Sequence, residues 1–185
     1  MHMKKLVLIT ICLVAISLAG HSQKFITKTG HIKFYSDSPL EKIEAHNHQV
    51  NAALNVATGD FVFKVLMKSF DFEKALMQEH FNENYVESDK YPNATFAGKV
   101  VNINEVNINK DGIYNAEVQG ALTIHGVTKQ VQTKGSLEVK EGKVLGKAKF
   151  NILLSEYNIK IPGAVTNNIS NQLEITVEVT LEKLN

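Results

Sequence analysis

Alternation with a period of two is the strongest constraint in this sequence. Across residues 172–182, Leu173, Ile175, Val177, Val179 and Leu181 fall on one side of an extended chain, and Glu174, Thr176, Glu178 and Thr180 on the other. Successive side chains take opposite faces in a β-strand, so this run reads as a strand buried on one face only. The pattern recurs. Ile32 and Phe34 alternate with Lys33 and Tyr35, and Val50, Ala52, Leu54 and Val56 with Asn51, Ala53 and Asn55. Phe61, Phe63, Val65 and Met67 oppose Val62, Lys64, Leu66 and Lys68. Val118, Leu122 and Ile124 share a face further on, as do Ala148, Phe150, Ile152 and Leu154. Thr58-Gly59-Asp60, Lys110-Asp111-Gly112 and Lys140-Glu141-Gly142-Lys143 separate the runs with the short Gly/Asp connections typical of β-hairpins. About eight strands, joined mostly as neighbours, make an all-β antiparallel meander that must close on itself or stack as a sandwich.

One segment departs from this rule. In residues 71–91 the alternation stops and helix formers appear, among them Glu73, Lys74, Ala75, Leu76, Gln78 and Glu79. Met77, Phe81 and Tyr85 fall four apart, on one face of a helix. Tyr91-Pro92 ends the helical stretch, because the residue before proline avoids the α region. The expectation is one helix, at about 72–86, with one apolar side that covers an end of the β-structure.

The first residues bear on compartment. Lys4 and Lys5 precede an uninterrupted apolar run over residues 6–19, followed by Gly20-His21-Ser22. A positive start, an apolar stretch of this length and small residues near its end describe a secretory signal peptide over residues 1–22. The run falls roughly five residues short of a comfortable membrane span. Cleavage would leave one domain over residues 23–185 with no membrane-spanning segment, placed in the periplasm or secreted. The single cysteine, Cys12, lies within that leader behind the bulky Ile11, which disfavours lipidation and leaves the remaining chain without a thiol. Removing Lys4 and Lys5 from the chain's 20 basic side chains leaves 18, against 19 acidic ones. None of the basic residues is arginine. A near-neutral chain without arginine disfavours nucleic acid as a partner, since phosphate recognition draws on basic surface and on arginine's bidentate fork. Exposed strands permit a homodimer, but nothing in the sequence demands one.

Signatures of catalysis are missing. The sequence has no Gly-x-Ser-x-Gly elbow, no phosphate-cradling glycine loop and no dinucleotide fingerprint. His46 and His48 sit two apart and share a face on a strand, an arrangement that can chelate a metal. A zinc site needs three or four ligands, however, and no acid–histidine helix motif accompanies these two, so the expectation is surface histidines and no metal site. His80 could serve as an acid or base; with Glu79 and Glu83 nearby, a local polar contact is the expectation. The balance favours binding over enzymatic activity.

Two stretches carry a family likeness. One runs through Met77-Gln78-Glu79-His80-Phe81 and Tyr85-Val86 to Lys90-Tyr91-Pro92-Asn93-Ala94-Thr95-Phe96; the other is Gly120-Ala121-Leu122-Thr123-Ile124-His125-Gly126-Val127-Thr128-Lys129. Together they resemble the YceI-like family of bacterial secreted proteins, named for polyisoprenoid binding. The resemblance implies a lipocalin-like, eight-stranded antiparallel barrel. Its apolar interior would take up a long-chain isoprenoid or similar fatty lipid, as carrier or sequestering protein, without a cofactor. One departure stands out: the arginine common ahead of the helix histidine is absent, with Gln78 nearby instead.

The candidate lining combines the inward faces of the strands with that likeness. It comprises Phe34, Leu54, Phe61, Phe63, Val65, Met67, Phe96, Val118, Leu122, Ile124, Phe150, Ile152 and Val177, with Met77, Phe81 and Tyr85 as a lid. Small residues at Ala52, Gly98, Gly120 and Ala148 favour an interior cavity. Periodicity alone is equally served by a filled core, because an eight-stranded barrel sits at the size where side chains either fill the interior or leave room for one ligand. The competing reading is therefore a structural or interaction module with no ligand.

Overall fold

A computed structural model describes residues 23–184 of the chain; the expected signal peptide lies outside them. The strands are β1 (Lys24–Asp37), β2 (Lys42–Asn55), β3 (Asp60–Leu66), β4 (Phe70–Phe72), β5 (Asn93–Val100), β6 (Gly112–Ile124), β7 (Val127–Lys140), β8 (Lys143–Leu153) and β9 (Gln172–Lys183). A helix, α1 (Ala75–His80), follows β4 and passes directly into a π-helical turn, Phe81–Tyr85. No helix of the described residues is long and apolar enough to cross a membrane.

The sheet runs β1-β9-β8-β7-β6-β5-β3-β2 and closes through pairing of β1 with β2, giving an antiparallel barrel of eight strands. Closure removes the free edges that an open sheet of this size would expose. The ninth strand does not widen the barrel. β3 pairs with residues 50–54 of β2, a 3₁₀ turn at Met67–Ser69 interrupts the line, and β4 resumes pairing at residues 45–47.

Two hairpins have tight two-residue turns. Ile124 pairs with Val127 across His125-Gly126, and Lys140 with Lys143 across Glu141-Gly142. Both central residues of each turn have positive φ, at 51° and 74° in the first and 50° and 74° in the second. That backbone matches the twist of antiparallel strands, and glycine at the second position adopts it without steric cost.

The interior is packed unevenly. At one end Leu54, Val100, Leu137, Val144 and Leu181 are all at most 2% exposed and form a solid plug with Phe25, Ala52 and Val179. Toward the other end a second cluster gathers Phe34, Met67, Phe70, Tyr157 and Ile159, with Phe81 and Tyr85 packed against it. The barrel wall is also uneven. β7 and β8 are paired only from Gly135/Ala148 to Lys140/Lys143. Beyond that point residues 127–134 of β7 bond to β6 alone, and residues 149–153 of β8 to β9 alone.

Candidate functional site

The hollow of the barrel is a cavity of about 180 Å³. Its walls are the inward positions of the alternating strands, so the pattern that forms the sheet also makes the cavity apolar. Among the described residues the lining includes no acid, histidine or cysteine; its polar members are Thr95, Thr133, Ser136 and Lys147. Lys147 directs its ammonium outward to Glu178 at 3.6 Å. A space with walls of this kind can shelter an apolar ligand.

Thirteen of the sixteen expected lining residues border this space: Phe34, Phe61, Phe63, Val65, Met67, Phe81, Phe96, Val118, Leu122, Ile124, Phe150, Ile152 and Val177. Leu54, Met77 and Tyr85 do not. Leu54 points inward as expected, but it is fully buried in the solid plug. Met77 lies on α1, which contributes no buried residue. The four-residue spacing misleads for Tyr85 because the helix loosens after Phe81. Val86 N donates to Phe81 O at 2.9 Å, an i→i+5 bond, and a π-turn takes more residues per turn than an α-helix. The widening shifts Tyr85 relative to Phe81, whereas Phe81 N still donates to Met77 O in ordinary α-register; Phe81 borders the cavity, and Met77, one turn earlier, stays half-exposed. Tyr85 packs against the core cluster beside the cavity, where burial pushes its phenol pKa up.

Two aromatic groups shape the walls. Phe34, Phe70, Phe72 and Phe81 close one end with ring centroids 5.1–5.7 Å apart. Phe61, Phe63 and Phe96 form the other group, with centroids 4.5 and 6.2 Å apart. Gly98 and Gly120 are cross-strand partners, and the Phe96 ring lies over both. A Cβ at Gly120 would come within 2.9 Å of Phe96 Cζ. These two glycines make room for a ring, and not directly for a ligand. Ala52, the third small residue, belongs to the plug, whereas Ala148 does line the cavity.

The two sequence stretches that carry the family likeness meet in space. His125 Nδ1 lies 3.1 Å from the Tyr157 carbonyl, and Nε2 lies 2.6 Å from Glu87 Oε2. The Tyr91 ring packs edge-on against His125 at 4.5 Å and against Gly126, where a Cβ would approach to 2.6 Å. This brace ties the β6–β7 turn to the chain that leaves the π-turn. His80, by contrast, is exposed, and among the described residues its imidazole forms no hydrogen bond or ion pair with Glu79 or Glu83.

A histidine cluster occupies the outer face of the wall. His46 and His48 do share a face of β2, and β1 adds His31 beside them, with candidate ligand nitrogens of all three within 4.8 Å of one another. Burial, and next the neighbouring His48, hold the His31 imidazole below its usual pKa. The sequence reading missed His31 because its proximity depends on β1–β2 pairing and on the β1 register shift between Gly30 and Ile32. The available signal was the hairpin itself, with Lys33 opposite His46.

A closed antiparallel barrel with an apolar hollow and a solid floor defines a lipocalin-like fold. The chain belongs to the YceI-like domain family, whose sequence profile matches residues 21–181. Among solved structures, a polyisoprenoid binding domain from Saccharophagus degradans superposes with a TM-score of 0.77 at 13% identity, covering 87% of this chain and 98% of that one. Burkholderia cenocepacia BcnA gives 0.64 at 14% identity, with 82% and 95% covered. A Campylobacter jejuni YceI protein gives 0.57 at 18%, with 74% and 82% covered. At these identities the likeness is one of fold. Among curated sequences, a UPF0312 protein of Pseudomonas putida is 31% identical over 106 residues, which are 54% of this chain and 50% of that protein. The match thus spans about half the length of that relative.

Proposed function

We propose that this chain is an exported protein that binds a long-chain isoprenoid or similar fatty lipid in its barrel, as carrier or sequestering protein, and is not an enzyme. The apolar hollow above a solid floor is the observation that carries this reading. Burying each methylene is worth about 0.8 kcal/mol, so a tail of about ten carbons supplies ample gross affinity without a charged contact. The polyisoprenoid binding named for the Saccharophagus degradans structure supports the same ligand class. Export rests on the leader-like pattern of residues 1–22, and the family match begins beside its end, at residue 21.

The cavity sets a condition on this function. An engineered cavity of about 150 Å³ holds benzene, so the space of about 180 Å³ seen here takes only a short stretch of chain. A longer tail must displace side chains, and the Phe34–Phe70–Phe72–Phe81 group is the place for it. Phe81 follows a helix that buries no residue, so its displacement would part the Phe81 ring from Phe34, Phe70 and Phe72 without uncovering a buried side chain of that helix.

The test is mass spectrometry of an organic extract from the full chain purified from a native-like host, alongside Ala148→Leu, which adds bulk to the cavity wall. The expected result is a stoichiometric apolar lipid in the wild type and markedly less in the variant. Absence of extractable lipid, together with no uptake of an added polyisoprenoid alcohol, would overturn the proposal.

A further inference from the structure

We propose that His31, His46 and His48 form a binding site for a late first-row transition cation, represented by Zn²⁺, on the outer face of the barrel. The site is separate from the lipid cavity. His31 lies on β1 and pairs with Glu178 of β9, while His46 and His48 lie on β2, so three neighbouring strands build it.

The argument begins with which nitrogens face each other. His31 Nε2 lies 3.0 Å from His46 Nδ1, in rings only 6° from parallel. The His48 ring stacks beside His31 with centroids 4.5 Å apart. Two zinc-bound imidazole nitrogens at 2.0–2.1 Å from the metal stand about 3.3 Å apart in tetrahedral geometry. The His31–His46 gap is therefore near ligand spacing. An ion would replace the hydrogen-bonding proton between these rings, which would rotate about their Cβ–Cγ bonds to aim both lone pairs at it.

An independent observation lies on the far side of the same rings. His46 Nε2 is 2.8 Å from Glu44 Oε1, and His31 Nδ1 is 3.6 Å from Glu178 Oε2. Each inward-facing nitrogen thus has its opposite ring nitrogen directed at a carboxylate. Metal-ligating histidines characteristically donate their other N–H to such a group, which fixes the tautomer and makes the ligand nitrogen more basic. Both carboxylates are themselves held in place, Glu44 by Lys33 at 2.9 Å and Glu178 by Lys147 at 3.6 Å.

Donor chemistry selects the ion. Three imidazoles suit zinc, copper or nickel, whereas magnesium and calcium prefer oxygen ligands. Three protein ligands also leave one tetrahedral position for water or an exogenous group, an arrangement distinct from a closed structural zinc site.

Calorimetric titration of the untagged full chain with zinc chloride tests the proposal, with magnesium chloride as control. The expected result is one Zn²⁺ per chain at micromolar or tighter affinity, no response to Mg²⁺, and a higher melting temperature with zinc. His31→Gln, His46→Gln and His48→Gln should each weaken binding at least tenfold, and the triple variant should lose both the binding and the thermal shift. Glu44→Gln, which leaves all three ligands in place, should weaken binding by about tenfold. His48 is exposed, so its replacement leaves folding untouched and tests the site even where another variant misfolds. Stoichiometric binding that survives the triple substitution, an affinity within twofold of wild type in His48→Gln, or a wild type that ignores zinc would each overturn it.

Discussion

Leu54 and Phe63 project into the same barrel from adjacent strands, yet the structure gives them different work. Leu54 is fully buried in the plug, whereas Phe63 is half-buried and borders the hollow. Truncating a leucine in a packed core removes its transfer energy and leaves a void, a loss of about 2–5 kcal/mol. Leu54→Ala should therefore lower the urea unfolding free energy by that amount and leave the lipid content per chain unchanged. Phe63→Ala should cost less stability and reduce lipid content, because one side of its ring already faces the cavity. If Phe63→Ala proved as destabilising as Leu54→Ala and left lipid content unaltered, the hollow would be acting as ordinary core. Side-chain direction was legible for both residues, since alternation fixes which face a strand residue takes. Local packing density was not. It depends on which strands come together, and Leu54 shares its cluster with Phe25, its partner on the closing strand β1, and with Val100 and Leu181 from β5 and β9.

At the scale of elements, the informative piece is the segment from α1 to the β6–β7 turn. A helix in place of alternation was readable from residues 71–91, but its register was not. The widening at Phe81 arises where the chain satisfies its bonds differently: Ser88 N reaches Asn82 O at 2.8 Å, and Asn82 Nδ2 reaches Gln78 O at 2.8 Å. Such bonds have no periodic signature. His125 then anchors the far end, with only 10% of its side chain exposed. His125→Asn is the discriminating variant, because asparagine tolerates the positive φ at this position but does not reproduce the imidazole's two-ended reach. It should lower stability by about 1–3 kcal/mol, the usual cost of leaving buried hydrogen-bonding groups unpaired. Thermal or urea unfolding measures the loss. No loss would mean that the Tyr157 carbonyl and Glu87 find other partners readily, and that the brace does not hold the π-turn over the barrel.

For the whole molecule, the sequence required the meander to close or to stack, and the pairing of β1 with β2 shows closure. Closure is nonetheless incomplete along one line. β6 and β7 are paired for their full shared length, but the β7–β8 ladder ends at Gly135/Ala148. Past that point the two strands diverge while cavity-lining side chains continue on both sides, Val131 and Thr133 on β7, Phe150 and Ile152 on β8. Uniform alternation on each strand gives no hint of this, because a strand reads the same whether one or both of its edges are bonded. In an antiparallel strand the amides alternate between the two neighbours. Every second N–H in residues 127–134 therefore faces the seam without a strand partner, whereas residues 135–139 are paired on both sides. Residue-resolved hydrogen exchange by NMR should show alternating fast and slow amides in the first stretch and even protection in the second. Even protection along all of β7 would mean that the strands come together in solution and that the barrel is sealed. If the alternation is found, the seam is the weakest line in the wall beside the hollow, and lipid binding should slow exchange there first.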